Sequence, residues 1–350
     1  MGSNMYDIEY LKSGLSVSTH LGCTLNCAYC ILSSIGPATS KPLEIATVDG
    51  LEKKLFDKKS LYFPGRTPII VNNRTDPFLP NVSASTYKIL DMFIKNGVKS
   101  PVIIITKLIP PRSLYEYAEK LDLMVFFTYG GLPPPFEPKR DIGMMDEFCA
   151  KVPKNSRYHY LRPIIEGVND DINMVDSIIE YASKRFRATV LTGLRIIPSV
   201  VEKLSNKAGY VLKEREYDNV HKFLSEDLMD NIWKISDSKT KAYPVFRHTS
   251  CAIAFHTGKP EPLGYVKRKG HCDTSCPMQN TCNMFSPTIN RHVIEYIIRN
   301  SRCNFDIGAN SITFHGEISQ ELKASIRFLS GMKVNAEKIT LSPSESEFLG

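Results

Sequence analysis

The chain is 350 residues long, with nine cysteines, 37 acidic and 44 basic side chains, and a formal charge of +7. That length allows a large buried core, so one long domain with an appendage is the natural expectation. No stretch reaches the roughly 18 to 20 apolar residues of a membrane span, and the opening "MGSNMYDIEYLKSGLS" carries Asp7, Glu9 and Lys12 where a signal peptide would be apolar, which predicts a cytoplasmic protein with no membrane partner. In a reducing compartment an odd number of cysteines points to free thiols or metal ligands rather than a disulfide framework. The charge is modest and spread along the chain, so it permits an anionic partner without requiring one.

In chain order, residues 1–14 read as an N-terminal extension. The alternating "LSVSTH" (15–20) reads as a first strand, and a cysteine loop follows it. In "HLGCTLNCAYCILS" the residues Cys23, Cys27 and Cys30 have the spacing C-x3-C-x2-C. One short loop can thus deliver three thiolates to three corners of a [4Fe-4S] cube, which wants four ligands, and leave one iron open to a substrate or cofactor. A structural zinc is the plain alternative, but closed zinc sites also want four ligands, and no His or Cys follows Cys30 until Cys149.

Further strands are predicted at "PIIVNN" (68–73), "PVIIITK" (101–107), "DLMVFFT" (122–128), "RYHYLRPII" (157–165) and "TVLTGLRII" (189–197). Helical segments lie between them: "LEIATVDGLEKKLFD", "SASTYKILDMFIKNG", "PRSLYEYAEKL", "DIGMMDEFCAKV" and "NMVDSIIEYASKRF". The alternation predicts an α/β fold, a partial (β/α)6 TIM-like barrel over residues 15–245, with ligands at the carboxyl ends of its strands. The cysteine loop falls at that end.

"CTLNCAYC", with aromatic Tyr29 before its last cysteine, resembles the signature of the radical S-adenosylmethionine (SAM) enzymes. "RTDPFLP", "IITK", "FEPKR" and "RPIIEGVND" follow in order over about residues 15 to 200, and this succession resembles the spore photoproduct lyase-like (DNA-repair-photolyase-like) branch. The resemblance implies a [4Fe-4S] cluster on Cys23, Cys27 and Cys30 whose open iron chelates the methionine moiety of SAM. Thr75 and Asp76 would engage its amino group, Lys107 its carboxylate, and Thr128 the ribose or carboxylate; Tyr29, Asn73 and Arg162 complete the expected cofactor set. A reductant such as flavodoxin or ferredoxin is implied as a partner.

Read without the resemblance, Asp76 could instead cap the turn that Pro77 begins. Lys107 could be a snorkelling surface lysine. Arg162 and Arg195, each inside an apolar strand, suit either an anionic ligand or internal salt bridges. The chain also departs from the branch. It has no cysteine between Cys30 and Cys149 to return a hydrogen atom in the barrel, and Ile31 stands where an aromatic follows the third cysteine.

After a charged helical stretch (211–236), Cys251, Cys272, Cys276 and Cys282 gather within residues 246–286, with Gly and Pro between them and little periodicity to build a core. Four thiolates make a complete metal site. The Cys276–Pro277 step favours a second [4Fe-4S] cluster, and a zinc ribbon, with His248, His256 or His271 replacing one thiolate, is the alternative. Cys149 and Cys303 read as ordinary thiols. Residues 287–350 read as a helix–strand–helix–strand unit that extends the sheet or caps the barrel, then a tail. The basic run Lys267 to Lys269 beside the second cysteine set could touch phosphates.

Together these features predict a radical SAM enzyme that abstracts hydrogen from a nucleic acid or nucleotide. Maturation of a peptide or small metabolite is the alternative. The non-enzymatic reading is a zinc-bearing nucleic-acid-binding protein.

Overall fold

The structure, a computed structural model, describes residues 6–11, 13–34, 41–212, 222–239, 243–267, 272 and 275–341. Its main sheet is built on β2 (Gly14–Val17), β3 (Ile69–Val71), β4 (Val102–Thr106), β5 (Leu123–Thr128), β6 (Arg157–Ile164) and β7 (Thr189–Arg195), which lie side by side and parallel in chain order. Helices α1 (Val48–Leu55), α2 (Ser83–Lys95), α3 (Tyr115–Lys120), α4 (Met144–Lys151) and α5 (Ile172–Ser183) connect them. This is a mixed α/β architecture with a parallel sheet. The sheet is open: among the described residues no pairing closes it.

β1 (Ile8–Leu11) pairs antiparallel with β2, so part of the expected N-terminal extension is an edge strand. At the other side β8 (Lys222–Phe223) runs antiparallel to β7, and β9 (Val245–Phe246) lies parallel to it. The β1–β2 turn depends on Gly14. Its φ is +144° and a Cβ there would stand 2.4 Å from the Pro68 carbonyl oxygen, which is the acceptor for Leu15 N–H at 2.8 Å. Gly14→Ala should cost about 1–3 kcal/mol through this overpacking, read as a lower urea midpoint with an unchanged m-value.

The strands read as unbroken apolar runs because both faces are covered. One face, with Val71, Ile104, Val125, Phe127 and Leu161, packs on helices α1 to α5. The other, with Ile70, Ile103, Met124, Phe126, Tyr158, Tyr160 and Val190, is covered by α8 (Thr249–Thr257) through Ala252 and Ile253. The cysteine-rich segment was expected to lack core-forming periodicity. It does contribute a core helix: Ala252 and Ile253 pack on the sheet face, and Ala254 is buried on the opposite side against Met278 and Cys282.

α6 (Pro198–Ala208) follows β7, and α7 (Glu226–Lys239) lies within the charged stretch. The last unit is α10 (Arg291–Asn300), β10 (Asn304–Ile307), β11 (Ser311–Ser319), α11 (Gln320–Ser330) and β12 (Lys333–Thr340), preceded by the short α9 (Gln279–Asn283). It does not extend the main sheet. It forms its own sheet in the order β10-β11-β12 and docks on β1, where Tyr10 N–H donates to Glu321 Oε1 at 3.1 Å. That contact occupies a donor on an edge strand that would otherwise be open. No helix of the described residues is long and apolar enough to cross a membrane.

Candidate active site

Loops after β2, β3, β4 and β5 meet at the carboxyl edge of the sheet. Asn72 is the pin. It is fully buried with φ +50°, its Oδ1 accepts from Thr19 N–H at 2.9 Å, and its Nδ2 donates to Thr86 Oγ1 at 2.8 Å. Asparagine tolerates this left-handed backbone better than most residues. The cysteine loop is then fastened by backbone bonds, Gly22 N–H to Arg74 O (2.9 Å) and Ala28 N–H to Phe136 O (2.8 Å). Arg74 forks onto Glu9 of β1 at 2.6 and 2.7 Å with both partners buried, a bidentate ion pair that ties the first strand to this edge.

Asp76 is buried and its carboxylate is engaged inside the chain. Oδ1 accepts from Phe78 N–H (3.1 Å) and Thr106 Oγ1 (2.8 Å), and Oδ2 accepts from Lys107 N–H (2.7 Å). Burial raises its pKa, against the pull of these donors. The turn-capping role is thus realised. Neighbouring Thr75 is different: its Oγ1 is buried with no hydrogen-bond partner.

Lys107 does not snorkel. Its Nζ lies 2.7 Å from Glu137 Oε2 and 2.5 Å from Tyr29 Oη, and Tyr29 also donates to Glu137. Arg140 Nη2 reaches Glu137 Oε1 at 2.5 Å and Nη1 reaches the Thr128 carbonyl at 2.5 Å, while its Nε is buried without a partner. Burial alone would raise the Glu137 carboxyl, but Lys107 and Arg140 hold it below its ordinary value. Two cations, one carboxylate and a phenol therefore lock the cysteine loop to strands β4 and β5. Thr128 is buried at the end of β5, and its backbone oxygen serves this network. Asn73 is partly buried on the same loop as Thr75. Arg162, near the carboxyl end of β6, holds its guanidinium 4.7 Å from the centroid of the Tyr160 ring.

The three thiols are near enough to repel one another as thiolates. Burial pushes Cys23 up to about 12, with Asp76, Cys30 and Cys27 adding to the shift. Burial also raises Cys27, opposed by Lys107. A cation at their centre reverses this bias, since a bound metal deprotonates a coordinating thiol outright. At the same edge of the sheet, the orphan Thr75 Oγ1 and Arg140 Nε suit a polar cofactor carrying both a donor and an acceptor. The residues present fit the cluster and the cofactor on those two counts.

Among the described residues no three His, Cys, Asp or Glu side chains converge tightly enough to hold a single metal ion. The second cysteine set nevertheless shares one neighbourhood. Burial pushes Cys251 well up, and Glu261, Cys276, Cys272 and Cys282 add to the rise. Cys251 and Cys276 pack against the face of the sheet that α8 covers. His256 is not a spare ligand there. Its Nδ1 meets Tyr158 Oη (2.9 Å) and Arg187 Nη1 (2.9 Å), and its Nε2 meets Asp122 Oδ1 (2.6 Å) at the start of β5, so both ring nitrogens are used. The His248 ring stacks on Tyr265, with centroids 3.8 Å apart. His271, Arg268 and Lys269 lie outside the described residues, as does the side chain of Lys267.

No protein-family model and no curated protein matches the sequence. Solved structures do. Spore photoproduct lyase complexed with dinucleoside spore photoproduct superposes with a TM-score of 0.53 at 10% identity, over 69% of this chain and 79% of that one. A spore photoproduct lyase variant with bound AdoMet and dinucleoside spore photoproduct gives 0.51 at 11% identity, over 66% and 75%. The chain has the spore photoproduct lyase fold. The fold expected from the cysteine spacing and the loop order therefore agrees with the architecture found.

Sequence reasoning missed Glu137, Arg140, Asn72 and the Glu9–Arg74 pair. Glu137 and Arg140 stand three residues apart in "FEPKR", but the segment is not helical, so the spacing alone did not signal their pairing. The partners Lys107 and Tyr29 are remote in sequence and gave no local signal.

Proposed function

We propose that this chain is a radical SAM enzyme whose first [4Fe-4S] cluster is held by Cys23, Cys27 and Cys30. The observation that carries the reading is the placement of a C-x3-C-x2-C loop at the carboxyl edge of a six-stranded parallel sheet with the spore photoproduct lyase fold. When bound, such a cluster supplies the electron that cleaves SAM to a 5′-deoxyadenosyl radical. The chain's own residues position and shield. Thr75 offers a free hydroxyl to the cofactor. Asp76 fixes the Thr75 loop against Lys107 N–H, and Lys107 and Arg140 present cations to an anionic group while Glu137 keeps them in place. The apolar face under α8 keeps water from the sheet interior.

In the same reading Cys251, Cys272, Cys276 and Cys282 form a second metal centre, an iron–sulfur cluster or zinc, and flavodoxin or ferredoxin serves as reductant. The test is direct: anaerobically reconstituted protein, reduced with dithionite and given SAM, should release 5′-deoxyadenosine. Fully loaded, reduced protein that makes none, with or without candidate substrates, sinks the reading.

The substrate proposed is a nucleic acid or nucleotide, in keeping with the net charge of +7 and the basic run Lys267–Arg268–Lys269. A target base must be unpaired or flipped to enter a barrel-type site, which predicts preference for single strands. Replacing the three basic residues by alanine should weaken oligonucleotide binding and flatten the salt slope by about two, given about 0.7 per single-strand phosphate. An unchanged slope would move the substrate to the peptide or small-metabolite class.

A further inference from the structure

The ion network at the sheet edge uses Lys107 and Arg140 but not Arg162 of β6. Side chains alternate along a strand, so Arg162 shares the face of Tyr158 and Tyr160, the one that α8 covers. Its guanidinium lies 4.7 Å from the Tyr160 ring centroid and donates to Tyr160 Oη. That ring is a fixed platform. Tyr160 is buried, packs on Phe126 with centroids 4.6 Å apart, and its hydroxyl meets Thr249 Oγ1 at the start of α8. Arg162 itself is half-buried, and among the described residues no carboxylate pairs with it. A guanidinium keeps its charge and carries five N–H donors in a planar fork, so one held without a counter-ion has donors to offer an anion.

The strand register separates that anion from the cofactor. Thr128 pairs with Tyr160 across β5 and β6, and Thr106 pairs with Phe127 across β4 and β5, which brings Lys107 level with Thr128. Lys107, Thr128 and Tyr160 thus form one rank across the sheet. Arg162 stands two residues beyond it toward the carboxyl edge, about 7 Å at a rise of about 3.3 Å per residue. With the proposed cofactor held at the rank of Lys107 and Thr128, Arg162 faces what lies further out, the substrate. The formal charge of +7 favours a polyanion there over a peptide. We infer that Arg162 is a substrate residue whose guanidinium forks onto a phosphodiester of a single-stranded nucleic acid. This rests on the nucleic-acid reading of the substrate, and it moves Arg162 out of the cofactor set that the sequence implied.

The experiment uses the full chain, reconstituted with iron and sulfide, and a single-stranded oligothymidylate as the probe. Arg162→Gln should weaken binding about 10- to 100-fold, the effect of losing hydrogen bonds to a charged group. It should also lower the salt slope by about 0.7, the share of one single-strand phosphate. Arg162→Lys keeps the cation, so it should restore the slope but not the full affinity, because an ammonium cannot fork. A purely structural arginine would move neither the slope nor its rescue by lysine. SAM binding, measured by equilibrium dialysis, should be the same in all three proteins. An unchanged slope in Arg162→Gln, with salt-dependent binding in the wild type, overturns the role of Arg162 alone. Loss of SAM binding in Arg162→Gln returns the residue to the cofactor and overturns the inference. A wild-type chain that binds the oligonucleotide without a salt slope, or that prefers an acidic peptide, overturns the nucleic-acid reading and the inference with it.

Discussion

Replacement of Cys23, Cys27 and Cys30 together by alanine should remove about four irons per chain and abolish 5′-deoxyadenosine release to the limit of detection. The effect is large because the three sulfurs are the whole protein contribution to that cluster, and no other group in the loop can replace a thiolate. The fold should survive. The loop is held by backbone bonds from Gly22 and Ala28 and by the Asn72 pin, none of which uses a thiol. In the metal-free chain burial keeps Cys23 and Cys27 as neutral thiols, so alanine relieves no charge and removes only three small side chains, and the metal-free variant should unfold within about 3 kcal/mol of the metal-free parent. Iron analysis, product chromatography and urea unfolding under anaerobic conditions check the three parts. Four irons retained beyond those of the second site, or continued product release, would refute the assignment of the cluster to this loop.

Much of this site was legible in the sequence because its signals are local. "VIIIT" and "LMVFF" are strands buried on both faces and read as such without alternation, and the spacing of Cys23, Cys27 and Cys30 needs no tertiary information. Thr75, Asp76 and Lys107 could be placed at one edge because each follows a legible strand. The unread part is of another kind. Glu137 meets Lys107 and Tyr29 across 30 and 108 residues, and Glu9 meets Arg74 across 65, pairings that only the assembled sheet edge creates. α8 escaped for a different reason. "TSCAIAFHT" mixes small polar and apolar residues with no stripe, and its burial against Tyr158 and Tyr160 follows from the space beneath the sheet. His256, read as a spare ligand, was claimed by Asp122, Arg187 and Tyr158 from three separate strand ends.

Glu137→Ala should be among the most destabilising single changes in the chain, about 3–5 kcal/mol, because it strands Lys107 and Arg140 at a buried edge without their shared counter-ion. The side chains of Glu137 and Arg140 are 2% and 7% exposed, so solvent offers little compensation. Lys107 and Tyr29 lose their anchor together, and the cysteine loop should loosen, with slower cluster reconstitution as the second readout. Glu137→Gln separates charge from shape. It keeps one acceptor but turns an amide donor toward a cation, so its cost should fall between wild type and alanine. The pH dependence follows from the lowered folded pKa of Glu137. A carboxyl depressed in the folded state contributes stability fully above its unfolded value, about 4.3, and that contribution is lost as pH falls through the lower folded value. The advantage of wild type over Glu137→Gln should thus be constant from neutral pH down to about 4.3 and shrink below it, which urea midpoints between pH 7 and 3 would show. Equal stability of Glu137→Ala and wild type at pH 7 would mean that the network is solvated and does not hold the loop.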